Sequence, residues 1–407
     1  MSSSVEVKIN PNVLVWARKT AHYDIEEISN KMDLSSDRMK NWEEGKENPT
    51  YVQLLDLANY YQRPATLFFS PKVPETEPDL PQDFRTLPDI ERKISPRVIF
   101  ELRSARSRRD NLISLEDYAD YKFPKFNLKA NLDDNIESLA DKIKTSLDIN
   151  WAKQDAIKNY DKALEFYISK IEKLGVLVFQ FYGIESKEMR GYALSYDKLP
   201  IIGINVKEHP HGKIFTLFHE LIHLALNKEG ISNIGRYKLE NKIEYFCNKV
   251  AAEILVPKKQ LCEINSVKRI NDGTIEEHIL KKLSKRFKVS PEVIIRSLLS
   301  TNIISKSFFK QRKRMWNEYI APNYRTSKSD KKKDEDRSII KKTEIITHRD
   351  PNVAKALKRN GIYYTEIVLE AYDNELITSS DLSDYIGEKL KTIDEIKRKL
   401  SVRESEK

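Results

Sequence analysis

Apolar positions along the chain repeat with helical spacing in its first seventy residues. Five short helices are predicted between residues 10 and 70, and Val13, Leu14 and Ala17 mark the buried side of the first, about Pro11 to Lys19. Asp24 with Glu27 three positions later makes a capping box before IEEISNKM, and Ser35 can cap SSDRMKNWEE, which Gly45 closes. Pro49-Thr50 and Pro64 open the fourth and fifth helices. Helix, short turn, helix inside so small a bundle is the helix-turn-helix plan.

Pro71 to Pro88 holds five prolines with acids between them, which predicts an extended connector over 71–94. Helical periodicity returns at Ser95–Ala119, Asn135–Leu147 and Tyr160–Leu174. It then gives way to VLVFQF, YALSY and PIIGINV, short β-branched or aromatic runs that predict a small sheet. Two further helices are expected, Gly212–Asn227 and Lys238–Leu255, with helical pattern continuing to about Tyr319. TSKSDKKKDEDR reads as a charged linker over 326–338, and residues 339–407 as a small helical C-terminal domain. The fold class predicted is α+β, mostly α, in several domains, as 407 residues require.

No apolar run approaches membrane-spanning length and no signal-like segment opens the chain, so a cytoplasmic protein with no membrane partner is expected. Two cysteines, Cys247 and Cys262, are too few for a disulfide framework. The formal charge of +9 is unevenly spread. Met1–Ser70 carries eight basic against ten acidic residues, whereas Lys258–Arg314 carries fifteen against five. Lys281, Lys282, Lys285, Arg286 and Lys288 within the latter read as a solvated helix face, or as a second place for nucleic acid to bind.

The segment KIFTLFHELIHLAL contains His-Glu-x-x-His. On a helix, His219 and His223 share one face and can both aim a ring nitrogen at one Zn2+, with Glu220 beside the open position as general base. Among seven histidines this spacing arises by chance on the order of one time in a hundred. The helix is apolar nearly all round, so its His and Glu are buried and need partners. For the third ligand, Glu240, Glu244 and Glu253 compete on the next helix. At about 100° per residue Glu253 falls opposite Glu244, which leads by geometry, with Glu240 second. His209 and His211 read first as surface residues and second as substrate contacts.

These segments resemble the ImmA/IrrE family of metallopeptidases in the form fused to an Xre-type helix-turn-helix. PIIGIN with FTLFHELIHLAL, EYFCNKVAAEILVP, and KLSKRFKVSPEVIIRSLLSTNIIS carry the resemblance, with NWEEGKENPT for the N-terminal module. Val250 stands where the family usually has Phe. The resemblance implies a zincin-like domain with Glu244 as third zinc ligand. It also implies a site-specific endopeptidase that cuts a cytoplasmic regulatory protein, such as a helix-turn-helix repressor, in mobile-element, stress or defence regulation. The strand at Ile202–Asn205 is expected to pair with the substrate.

If the N-terminal module binds double-stranded DNA, Ser35, Ser36, Arg38 and Asn41 face bases and Lys40 and Lys46 face phosphates. Arg103, Arg106, Arg108 and Arg109 read either as a solvated face or as added phosphate contacts. Such modules also dock proteins or form homodimers. The alternative to a peptidase is a DNA-binding regulator or toxin–antitoxin component whose zinc site is structural, but a structural site has no need of Glu220.

Overall fold

The computed structural model describes residues 5–74, 94–117, 122–226, 236–270, 275–315 and 351–405. The charged linker lies outside them, as does most of the Pro-rich connector. The described chain is mostly helical with one three-stranded sheet. It divides into two units, one of residues 1–108 with 183–185 and the other of 109–182 with 186–407.

In the first unit, α1 (Pro11–Thr20), α2 (Ile25–Lys31), α3 (Ser36–Glu43) and α4 (Tyr51–Tyr61) are followed by a 3-10 helix at Ala65–Phe69 and by the start of α5 (Pro96–Leu115). The fifth expected helix is this 3-10 turn, because Pro64 opens a segment too short to continue. Asp24 and Glu27 form the reciprocal capping box, and Thr50 with Gln53 forms a second. Val13, Leu14, Ala17, Met39, Trp42, Leu54, Leu57 and Phe68 make the core. Arg18 and Glu43 pair beside it through two hydrogen bonds of 2.6 and 3.0 Å. Arg103 turns inward, donating to the C-terminal carbonyls of α4 (Tyr61, 3.0 Å) and α1 (Thr20, 2.7 Å). It therefore satisfies helix-end acceptors and is not on a solvated or phosphate-binding face.

The second unit continues with α6 (Ile136–Ser146), α7 (Trp151–Asp155) and α8 (Tyr160–Glu172). Then come β1 (Leu177–Phe181), β2 (Gly191–Leu194) and β3 (Ile201–Asn205), followed by α9 (Pro210–Leu226) and α10 (Arg236–Leu255). The short α7 was not expected; Asn150 caps it and its five residues are too few to show a period. The sheet order is β1-β3-β2, with β1 parallel and β2 antiparallel to β3. β3 is thus the central strand, hydrogen-bonded on both sides. It has no free edge to offer a substrate, contrary to the expectation for Ile202–Asn205.

Strand alternation divides the sheet between two layers. Val178, Ala193, Ile202 and Ile204 join the core formed with α6, α8, α9 and α10. On the other face Phe181 stacks on Tyr192, and Phe179 meets Tyr364 edge to face. Tyr364 belongs to α17 (Ile362–Asp373), one of the C-terminal helices α16 (Pro351–Asn360), α17, α18 (Ser379–Ile386) and α19 (Leu390–Ser405). Between the layers in sequence lie α11 (Lys258–Glu263), α12 (Asn265–Lys268), α13 (Glu277–Phe287), α14 (Pro291–Ser300) and α15 (Lys306–Met315). The described C-terminal helices therefore belong to the same unit as the sheet, while the sequence sets 339–407 apart as a domain. At the α16–α17 corner Gly361, at φ +74°, comes so close to the Val178 carbonyl that an added Cβ would lie 2.6 Å from it.

Candidate metal centre

Helix α9 is apolar on most of its circumference, and nearly all its side chains from Thr216 to Leu226 are buried. Tyr167 of α8 meets Phe218 edge to face, fixing the rotation of α9 from behind. That rotation turns His219 and His223, four residues apart, towards α10. Their Nε2 atoms lie 2.9 Å apart. Glu244 on α10 reaches both, with one carboxylate oxygen 3.1 Å from the His223 Nε2 and the other 3.4 Å from the His219 Nε2.

Three donors on one tetrahedral ion, each at about 2.05 Å, are separated by roughly 3.3 Å. The observed spacings bracket that value, and two imidazoles with one carboxylate suit zinc. Among the described residues, these three are the group whose donor atoms converge closely enough for a metal. Both histidines are buried, whereas the Glu244 side chain is 30% exposed, so the site opens to solvent on the α10 side. Of the other candidates, Glu253 accepts from the Lys258 backbone N–H at 3.0 Å and so serves the end of α10. The side chain of Glu240 lies outside the described residues.

Burial opposes charge on His223, but the neighbouring Cys247 thiol and Glu244 carboxylate outweigh it and raise its pKa well above the usual value. Burial likewise pushes the Cys247 thiol up, although His223 pulls the other way. Glu220 is 5% exposed and sits one residue round the helix, towards β2. At the head of α9, the His209 and His211 rings lie with centroids 3.9 Å apart and tilted by 38°, and Tyr160 lies near both.

Residues 171–299 match the family model described as the IrrE N-terminal-like domain, a span that takes in the sheet, α9 and α10. Residues 171–299 form an IrrE N-terminal-like domain. No curated protein matches the chain. A solved structure of a Mycobacterium tuberculosis transcriptional regulator is 11% identical, with a TM-score of 0.28, over 48% of this chain and 51% of its own. The chain thus spans about half of that structure, and a likeness this low carries no argument.

The IrrE N-terminal-like domain holds His219, Glu220, His223 and Glu244 together, but not the residues singled out for DNA. Those lie on the first unit, where Ser35 accepts from the Arg38 N–H as N-cap and Ser36 begins α3. Arg38 and Asn41 both approach Glu47, at 3.8 and 2.8 Å, Lys40 approaches Asp37 at 3.7 Å, and Lys46 pairs with Glu44 at 2.5 Å. Arg109 is committed within the second unit, donating to the Lys198 carbonyl and stacking over Tyr196. Sequence reasoning missed Gly191, whose only signal is a glycine at the head of an otherwise β-like run.

Proposed function

We propose that the second unit is a zinc-dependent endopeptidase that cleaves a protein partner at a specific site. The observation that carries this reading is the convergence of His219, His223 and Glu244, with Glu220 next to His219 on the same turn of α9. Zinc held by the three donors supplies Lewis acidity towards water and a scissile carbonyl. Glu220 then takes a proton from the attacking water and returns it to the leaving amine. Its burial keeps the carboxylate from being swamped by solvent, so its hydrogen bonds there are stronger. With β3 paired on both sides, β2 is the edge strand next to α9, and an extended substrate segment would add beside it. A partner with an extended, exposed stretch, such as a regulatory protein with a linker, suits that edge.

A helix-turn-helix reading of the first unit is supported by the four-residue turn that joins α2 and α3, whose Asp33 takes φ +54°. In this reading it delivers the peptidase to its site of action in the cytoplasm, on double-stranded DNA or on the protein to be cut. The carboxylates beside every cation of α3 favour the protein.

The test is elemental analysis of the purified chain beside His223→Ala and Glu244→Ala, followed by cleavage of a denatured peptide library with Glu220→Gln as control. About one zinc per chain, lost in both ligand variants, with cleavage absent from Glu220→Gln, is the expected result. A wild-type chain that binds no zinc when supplied with it overturns the reading.

A further inference from the structure

The space between β2 and α9 is closed to all but hydrogen. Gly191 opens β2, paired with Ile204 of β3, and faces α9. A Cβ placed there would lie 2.4 Å from Thr216 Cγ2 and 3.0 Å from each of Glu220 Oε1 and the Gly203 carbonyl oxygen. Gly191 is not among the glycines with positive φ, so the demand is for room and not for backbone freedom.

Thr216 and Glu220 are four residues apart and share the face of α9 that meets β2. His219 and His223 are the corresponding pair one step round the helix, facing Glu244. One face of α9 therefore holds the metal donors and the next holds the acid, and the acid packs against a glycine. The two neighbours would respond differently to a methyl group. Thr216 is β-branched and buried at 4% exposure, so its Cγ2 cannot swing aside cheaply. Glu220 has more rotatable bonds, so an added methyl group would displace its carboxylate.

We infer that Gly191 is a positioning residue for Glu220: its missing side chain sets how near α9 comes to the edge strand and where the carboxylate lies. This rests on the peptidase reading only for its catalytic meaning, since the packing relation holds with or without a metal.

The experiment uses the full chain as wild type, Gly191→Ala, Thr216→Ser, Gly191→Ala with Thr216→Ser, and Glu220→Gln. Zinc content should stay at about one per chain in all five, because the three donors face elsewhere. With cobalt(II) in place of zinc, the pH midpoint of its visible absorption should shift in Gly191→Ala in the direction seen for Glu220→Gln. Adding Thr216→Ser, which removes the closest contact, should recover at least half of that shift. A Gly191→Ala midpoint equal to wild type overturns the inference. So does loss of zinc from Gly191→Ala while its melting curve stays that of wild type. If Gly191→Ala does not fold, the double variant carries the comparison against Thr216→Ser alone. A wild-type chain that takes up neither metal overturns the peptidase reading instead. The inference is then read from the carboxyl carbon resonance of Glu220, assigned by its loss in Glu220→Gln, and an unchanged shift in Gly191→Ala overturns it.

Discussion

His219 and His223 bring their Nε2 atoms to 2.9 Å, with both faced by the two oxygens of Glu244. Two buried imidazoles and a carboxylate converging in this way could hold one shared cation. Removing any one of the three donors should therefore cost more than removing an outer partner of a ligand, which lowers metal affinity about 10–100-fold. His223→Ala and Glu244→Ala are expected to weaken zinc binding by more than about 100-fold, measured by competition with a chromophoric chelator. Glu253→Ala, whose carboxylate serves the Lys258 backbone, should leave it within about threefold.

Asp155 of α7 receives two hydrogen bonds of 2.7 Å from Arg286, which also lies over the Trp151 ring. The hydrogen bonds from Arg286 hold the Asp155 carboxyl below its usual range, against a smaller opposing effect of burial. A carboxyl depressed on folding contributes stability in full above its unfolded pKa, and loses it as pH falls through the folded one. Asp155→Asn should therefore destabilise by about 1 kcal/mol near neutral pH, a value discounted because both side chains are about a third exposed or more. Urea titrations at falling pH should show the gap between variant and wild type closing below the ordinary carboxylate range.

Beyond the end of α3, Glu47 accepts from Asn41 at 2.8 Å and lies 3.8 Å from Arg38. If that helix meets duplex DNA, Glu47→Gln frees the cation and removes one repelled charge. Affinity should then rise several-fold and the salt slope steepen by about one, as for one added phosphate contact. Fluorescence anisotropy with a mixed-sequence duplex measures both quantities. No change, with no binding by the wild type at low salt, assigns α3 to protein docking.

Gly361 combines φ +74° and ψ 156°, a pairing that side chains beyond glycine hardly adopt, with close approach to the Val178 carbonyl. Gly361→Ala should lower the stability of the second unit by about 2 kcal/mol or more, the backbone strain supplying a good part of it. The check is a thermal melt of the zinc-loaded protein, with zinc stoichiometry unchanged.

The candidate metal centre was legible as a cluster because its chemistry is local. His219, Glu220 and His223 lie within five residues, and the helical angle alone ranks Glu244 over Glu253 on the next helix. Relations between segments left no such mark. The placing of β3 at the centre depends on a parallel pairing of Leu177 with Ile201 across a whole strand, and strand-like composition is the same at an edge and in the middle. Arg103 looks on the sequence like one more surface cation. Only the fold brings the ends of α1 and α4 to it. The role of Gly191 is a matter of what is not there, visible only once Thr216 lies opposite.

The corner at Gly361 has a consequence for how the chain is made. β1 ends at Phe181, yet the aromatic ring that covers Phe179 comes from Tyr364, emerging from the ribosome long after the strands and α9. During that interval Phe179 and the β1 strand lack the helices that pack on them, the condition under which nascent chains stick to one another or recruit a chaperone. Closure of the α16–α17 corner over Val178 is then a late event of synthesis for this unit, and the long separation it spans slows that step. A messenger truncated before residue 351 would yield a chain that keeps all three candidate donors but leaves β1 without the helices that pack on it.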